Sequence, residues 1–211
     1  MSKDEDFITS HKDAMYQTRT SLPGIVESIN LDSEGSLDTI NVKLAINAFV
    51  TDPNNYSIRQ QEYPIIPNVP IVMPRSNVAG LSITVPIRQG DSVLLIFADR
   101  SIDNWQSSGD VSAPAEQIMP RLHDITDAIA IIGLASEVHP IKNYNNNAVE
   151  IRNNSGSIHL SLSDSGINIA GNVTIDGDLT VQNTLTAGGI DMNTHFHTGN
   201  GSGKPTSGPE N

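Results

Sequence analysis

The chain has 211 residues, no cysteine, nine aromatic residues of the Phe, Tyr and Trp types, and a formal net charge of −12. Disulfides and thiolate zinc sites are therefore excluded, and a nucleic-acid partner is not expected, because phosphate binding needs a basic surface and base stacking needs aromatic platforms. There is no apolar stretch of membrane-spanning length and no basic n-region followed by an apolar h-region, so a soluble protein not exported by the usual signal route is expected.

Residues 1–21 lack periodicity and read as an N-terminal arm. Residues 22–134 read as a compact β domain. Its strand candidates are Gly24–Asn30, Ile40–Ile46, Ile65–Val72, Leu81–Val85 and Ser92–Ala98. The first two are joined by a turn at Asp32-Ser33-Glu34-Gly35. A long polar excursion containing Tyr56–Tyr63 follows Thr51-Asp52-Pro53. Ser92–Ala98 (SVLLIFA) is a near-continuous apolar run, as in a strand buried on both faces. The best helix candidate, Ala113–Met119, is short. About five strands with one long excursion predict a small barrel of the OB type. Residues 135–147, with Pro140 and Asn145-Asn146-Asn147, read as a neck.

A β-rich stretch over residues 148–190 follows. Ile158, Leu160 and Leu162 alternate first, and Ser163-Asp164-Ser165-Gly166 then resets the phase. From Ile167 the sequence keeps a six-residue beat: INIAGN, VTIDGD, LTVQNT, LTAGGI. The first position holds Ile167, Val173, Leu179 and Leu185. The third holds Ile169, Ile175, Val181 and Ala187. The fifth holds Gly171, Gly177, Asn183 and Gly189. Two alternating apolar residues make a very short strand with one buried face, and Gly or Asn lets such a strand turn a corner. Repetition of one small unit means stacked rungs.

The number of hexads decides how that face is buried. A single chain coiling into a three-sided β-helix needs about three hexads per coil, and a solenoid needs at least about three stacked units to bury a continuous core. This repeat makes little more than one coil. Three chains wound about a common axis can bury it, each supplying one side of a prism. The expected shaft core is then Ile167, Ile169, Val173, Ile175, Leu179, Val181 and Leu185 of a homotrimer. An exposed hairpin or linker is the other reading, although linkers do not usually hold apolar residues on a fixed beat.

Residues 191–211 read as an apex. In an extended chain, positions i and i+2 point the same way, so His195 and His197 aim together and Phe196 points to the other side. Two imidazoles cannot complete a metal site. Three chains on a threefold axis bring six, in two layers of three, which is octahedral geometry. That suits Fe(II), Ni(II) or Co(II) better than tetrahedral Zn(II). Six protein ligands leave no open position, so the ion would be structural, not catalytic. The competing reading is a pair of solvated histidines in a flexible tail.

Three segments carry a family resemblance. PIRQGDSVLLIFADRSIDNW (Pro86–Trp105) and RLHDITDAIAIIGL (Arg121–Leu134) resemble the Gp138-type N-terminal domain of phage baseplate spikes. HFHTGNGSGKPTSGP (His195–Pro209) resembles the tip of central spikes from contractile-tailed phages, such as that of phage P2. The loop after the histidines is slightly longer here, and Thr198 stands where the P2 protein has Pro. The resemblance implies an all-β trimer: an OB-fold collar, an intertwined β-helical shaft, and a pointed apex closed by one buried iron ion (Fe2+) per trimer. It also implies a place at the baseplate tip of the virion and attachment to a tail-hub protein through the collar. Its implied task is piercing of the bacterial outer membrane when the sheath contracts.

The remaining polar residues carry less. His11, His123, His139 and His159 are isolated. Asp99, Asp103, Asp124 and Asp127 show no spacing that separates catalytic carboxylates from turn and strand-end acids, so an enzyme is not expected. Asp164, Asp176 and Asp178 fit turns, the other reading being a cation held together with their trimer mates. Trp105 reads as a packing anchor in the collar or its interface. A hexapeptide-repeat acyltransferase would need many more hexads and a catalytic His in the coil. A trimeric receptor-binding tail fibre is the alternative to a spike, but Thr198–Asn211 gives no large aromatic head.

Overall fold

A computed structural model describes residues 18–51, 57–76, 78–108, 113–197 and 199. The expected N-terminal arm up to residue 17, and the Gly-rich end after His197 apart from Gly199, lie outside the described residues. The chain divides into two compact units, residues 1–140 and 141–211. The architecture is nearly all-β, and no helix among the described residues is long and apolar enough to cross a membrane.

The N-terminal unit contains β1 (Ser21–Leu31), β2 (Leu37–Leu44), β3 (Ala48–Thr51), β4 (Ile58–Gln61), β5 (Ile66–Val69), β6 (Ile71–Val72), β7 (Arg75–Ser76), β8 (Leu81–Ser82), β9 (Ser92–Phe97), the one-turn helix α1 (Asp103–Ser107) and β10 (Ala128–Ile132). Six of these strands form one sheet in the order β5-β2-β1-β9-β10-β6. All neighbours are antiparallel except β10 and β6, which are parallel. The two edge strands, β5 and β6, are separated only by Pro70. One stretch of chain therefore bonds to β2 on one side and to β10 on the other, and the sheet curls nearly into a barrel. The Ala130 N–H donating to the Pro70 carbonyl at 2.9 Å marks the closure.

The long β1 makes the curl possible. Its first half pairs with β9 and its second half with β2, with register shifts between Val26 and Ser28 and between Asn30 and Leu31. Such bulges bend a strand and increase its twist. The alternating residues Val26, Ile40, Val42, Val93 and Leu95 point inward and are fully buried, with Ile66, Val69, Phe97, Ala128 and Ala130 completing the interior. The turn at Asp32 forms as the sequence predicts: its carboxylate accepts the N–H groups of Glu34 (2.9 Å) and Ser36 (2.8 Å).

Several sequence expectations are corrected. The fifth barrel strand is β10, not Leu81–Val85, of which only the two-residue β8 forms. Part of the polar excursion is ordered as the β3–β4 hairpin. Ala113–Met119 is not helical. Seven residues scarcely exceed the costly nucleus of a helix, and Pro120 disfavours helical backbone at Met119. The single turn is instead α1, whose preceding residue Ile102 gives its N–H to the buried Asp127 carboxylate at 3.0 Å. Finally, β9 is buried on one face only: Leu94 is partly buried and Ile96 is 41% exposed.

The C-terminal unit has a different construction. β11 (Val149–Arg152), β12 (His159–Ser163) and β13 (Gly166–Ala170) form an antiparallel three-stranded sheet, and β14 (Thr186–Ala187) pairs with β15 (Ile190–Asp191). Residues 171–185 between them have no ladder partner, although the sequence predicts a short strand in every hexad. A strand exists only as half of a pair, and one chain offers no neighbour to this stretch. The hexad corners nonetheless repeat: Gly171 and Gly177, six residues apart, have φ of +133° and +145°, backbone that residues with a Cβ rarely adopt.

Candidate metal centre

The β14–β15 hairpin sets up the histidine pair. The Met192 N–H donates to the Leu185 carbonyl at 2.8 Å, which ties the residue after β15 to the last hexad. The Asn193 side chain donates to the Asn183 carbonyl at 3.2 Å. Asp191 then organises the turn. Its carboxylate accepts the Asn193 N–H at 2.9 Å and its carbonyl accepts the His195 N–H at 3.0 Å. This Asx-type turn is a local consequence of placing Asp two residues before Asn.

The His195 ring is partly buried, and its Nδ1 lies 3.0 Å from the Met192 carbonyl. A carbonyl can only accept, so in the neutral ring Nδ1 carries the proton and Nε2 holds the lone pair. Backbone fixing of one ring nitrogen in this way orients the other for ligation. The His197 ring lies with its centroid 5.3 Å from that of His195, at an interplanar angle of 79°. The two predicted ligands are thus adjacent, with an exposed Phe196 between them. Among the described residues no group of three or more His, Cys, Asp or Glu side chains could hold a metal ion.

The predicted shaft residues precede this tip. Ile167, Ile169, Val173, Ile175, Leu179, Val181 and Leu185 are all exposed in the single chain, from 41% for Leu185 to 70% for Ile167. The sheet before them has an apolar face of its own, which includes Ile167 and Ile169. Strand register places Val149, Leu162 and Ile167 in one row and Ile151, Leu160 and Ile169 in the next, on one face. All six are exposed. The opposite face is polar: Glu150, Ser161 and Asn168 in one row, Arg152 and His159 in the next. There the His159 Nδ1 meets the Gly156 carbonyl at 2.9 Å and its Nε2 lies 3.3 Å from the Asn168 amide. Arg152 pairs with Glu150 and also donates to the carbonyls of Lys142 and Asn143. Glu150 is held below the usual carboxylate range, chiefly by the Asn145 side-chain amide.

The four acids weighed in the sequence take structural roles, two of them on one arginine. Asp127 is fully buried and takes a two-pronged ion pair from Arg121, at 2.9 Å to Nε and 2.8 Å to Nη2. Arg121 also bonds Asp103 at 2.8 Å and the Ser101 hydroxyl at 3.0 Å. The hydrogen bonds that the guanidinium donates to Asp127 hold it even more firmly protonated than usual. A buried carboxylate needs such a partner, so the cluster fastens α1 and the 121–127 loop to the barrel. Sequence reading missed Arg121. Its only signal was a basic residue six positions before an Asp that opens an apolar strand. Asp99 pairs with Arg100 and approaches His123, while Asp124 caps Thr126. Trp105 is 57% exposed on α1, beside an open groove lined by Asp38, Thr39, Asn68 and Pro70, so it is not a core anchor.

No curated protein matches the chain. A family model, that of the phage protein Gp138 N-terminal domain, matches residues 22–133, just over half of the sequence. The match begins in β1 and ends just after β10, so it spans the whole near-closed sheet. The chain therefore belongs to the Gp138 N-terminal domain family of phage baseplate proteins, structural components of the virion tail.

Proposed function

We propose that this baseplate protein is the central spike of a contractile tail, a homotrimer that pierces the bacterial outer membrane when the sheath contracts. The observation that carries this reading is the apolar surface of the C-terminal unit. Full burial of one Val, Leu or Ile is worth about 1.5–3 kcal/mol, and this unit leaves its two sheet rows and its hexads open to water. Three copies wound together would bury them as an intertwined β-helical shaft. The protein is read as mechanical, without catalytic activity and without a nucleic-acid partner.

The N-terminal unit is read as an OB-type collar that binds the tail hub. Its five-stranded course, with the β5–β6 segment antiparallel to β2 and parallel to β10, supports that assignment. At the tip, His195 and His197 of three chains would supply six imidazoles to one ion, iron by the resemblance noted above. When bound, the ion would crosslink three chain ends, and the Met192 carbonyl, 3.0 Å from Nδ1, would leave Nε2 as the ligating nitrogen of His195.

Sedimentation equilibrium with elemental analysis tests the proposal. Three chains and one metal ion per particle are expected. His195→Ala together with His197→Ala should remove the metal and leave the trimer. A folded monomer at micromolar concentration would end the spike reading. One ion per chain, or none, would end the shared six-histidine site. Removing residues 1–134 should leave a trimer that no longer joins tails.

A further inference from the structure

The open groove beside α1 has a volume of about 740 Å3, within the range of small-ligand sites. Asp38 and Thr39 of β2, Asn68 of β5, and Trp105 and Gln106 of α1 line it. Trp105 is the only tryptophan of the chain and is 57% exposed, so it offers an apolar ring to whatever enters. Asn68 is held by three hydrogen bonds. Its N–H donates to Asn41 Oδ1 at 3.0 Å, its Oδ1 accepts from Asn30 Nδ2 at 3.2 Å, and its carbonyl accepts from Gln106 Nε2 at 3.2 Å. Its φ is +54°, left-handed backbone that Asn adopts more readily than most residues but still at a cost. With Oδ1 engaged, the side-chain NH2 remains as a donor in a fixed position. Among the described residues neither this NH2 nor the exposed Asp38 carboxylate has a partner.

We infer that this groove binds a neutral pyranose sugar. A pyranose carries a patch of C–H groups on one face and hydroxyls around its rim. Trp105 suits the first. The Asn68 NH2 and the Asp38 carboxylate suit the second, since each hydroxyl both donates and accepts. Anionic sugars are disfavoured, because the chain carries a net charge of −12 and both Asp38 and Asp103 line the groove. The nearby cation, Arg121, is already committed to Asp103 and Asp127. An apolar peptide seated there would leave the Asp38 carboxylate and the Asn68 NH2 desolvated and unpaired. Every lining group belongs to the N-terminal unit, so binding needs neither the trimer nor the metal.

Because Trp105 is the single tryptophan, intrinsic fluorescence of the full-length protein reads this groove alone. The probes are the methyl pyranosides of glucose, galactose, mannose and N-acetylglucosamine, with methyl glucuronide as the anionic control. At least one neutral glycoside should give a saturable blue shift of the emission, and the glucuronide none. Asp38→Ala should weaken binding of that glycoside about tenfold or more, because a hydrogen bond to a charged group is lost. No saturable response to any of the four neutral glycosides would overturn the inference. So would an equal response to the glucuronide, or D38A protein that binds like the wild type. Trp105 shielded from acrylamide before any sugar is added would show that protein fills the groove, and would overturn it as well. None of these outcomes changes the chain count or the metal count by which the spike reading is judged.

Discussion

The collar and the shaft solve the same problem in opposite ways. The collar closes a sheet on itself and buries twelve apolar residues inside one chain. The shaft has its own comparable supply of Ile, Val and Leu, yet none of them is buried among its described residues. The difference lies in the return path of the chain. In the collar, β1 bends at its bulges and β5–β6 carries the chain from one sheet edge to the other, so each apolar side chain finds partners far away in sequence. In the C-terminal unit only the first hexad joins a sheet, through β13, and residues 171–185 have no ladder partner. The N-terminal unit thus buries a core of its own, and the C-terminal unit on its own leaves its apolar face exposed.

The strongest way to break this comparison is a charge in the shaft. Leu160 sits in the middle strand of the three-stranded sheet, in the row with Ile151 and Ile169. Leu160→Asp should abolish the trimer, read by sedimentation, while the collar keeps its cooperative unfolding transition. A stable L160D trimer would show that this face is not where chains meet.

The next effect belongs to the collar alone. Asp127→Ala leaves Arg121 partly buried without its main counter-charge and should cost about 3–5 kcal/mol in denaturant unfolding of the collar. Asp103 holds the same guanidinium but is half exposed. Asp103→Ala should cost only about 0–1 kcal/mol. Equal losses would mean that the cluster is not organised around the buried acid. Neither substitution should change the oligomeric state.

What could be read in the sequence follows the same division. Patterns that depend on neighbours along the chain were legible. The Asp32 turn, four barrel strands, the hexad beat and the His-x-His pair all rest on spacings of a few residues. Features that depend on distant partners were not. Arg121 gains meaning only when β10 brings Asp127 beside α1. The start of α1 is likewise held from afar, since the Ile102 N–H donates to a carboxylate 25 positions away. The strand Ala128–Ile132 was masked as part of a longer apolar signature, since AIAIIGL shows no polar alternation. Closure of the sheet by β5–β6 left no mark except Pro70, which interrupts the pairing without ending the strand direction.

A smaller effect tests the hexad corners. No atom lies within 4 Å of where a Gly177 Cβ would sit, so Gly177→Ala would be penalised by its φ alone, about 1–3 kcal/mol. Gly171→Ala meets the same backbone penalty and also Ile158 Cγ2 at 3.2 Å. Both should lower the melting temperature of the shaft, G171A at least as much as G177A. No change for either would mean that the corners are not set by glycine backbone.

The smallest expected effect is acid sensitivity, and it separates the two regions by titratable group. In the collar, Asp124 is held below the ordinary aspartate value of 3.8, first by the Thr126 N–H and then by the Thr126 hydroxyl. In the shaft unit, Glu150 is held below the ordinary glutamate value of 4.5, first by the Asn145 amide. A carboxyl depressed in the folded state binds its proton more readily when unfolded. Its stabilisation is therefore complete above the ordinary value and is lost as pH falls through the folded value. Both regions should weaken for this reason as pH falls below the ordinary carboxylate values. Asp124→Asn should flatten that fall in the collar transition and leave the shaft transition unchanged, and Glu150→Gln should do the reverse. The measurement is a pair of melting temperatures followed against pH in each variant. If either substitution flattened both transitions equally, the two units would be unfolding as one, and the contrast between a self-sufficient collar and a dependent shaft would fail.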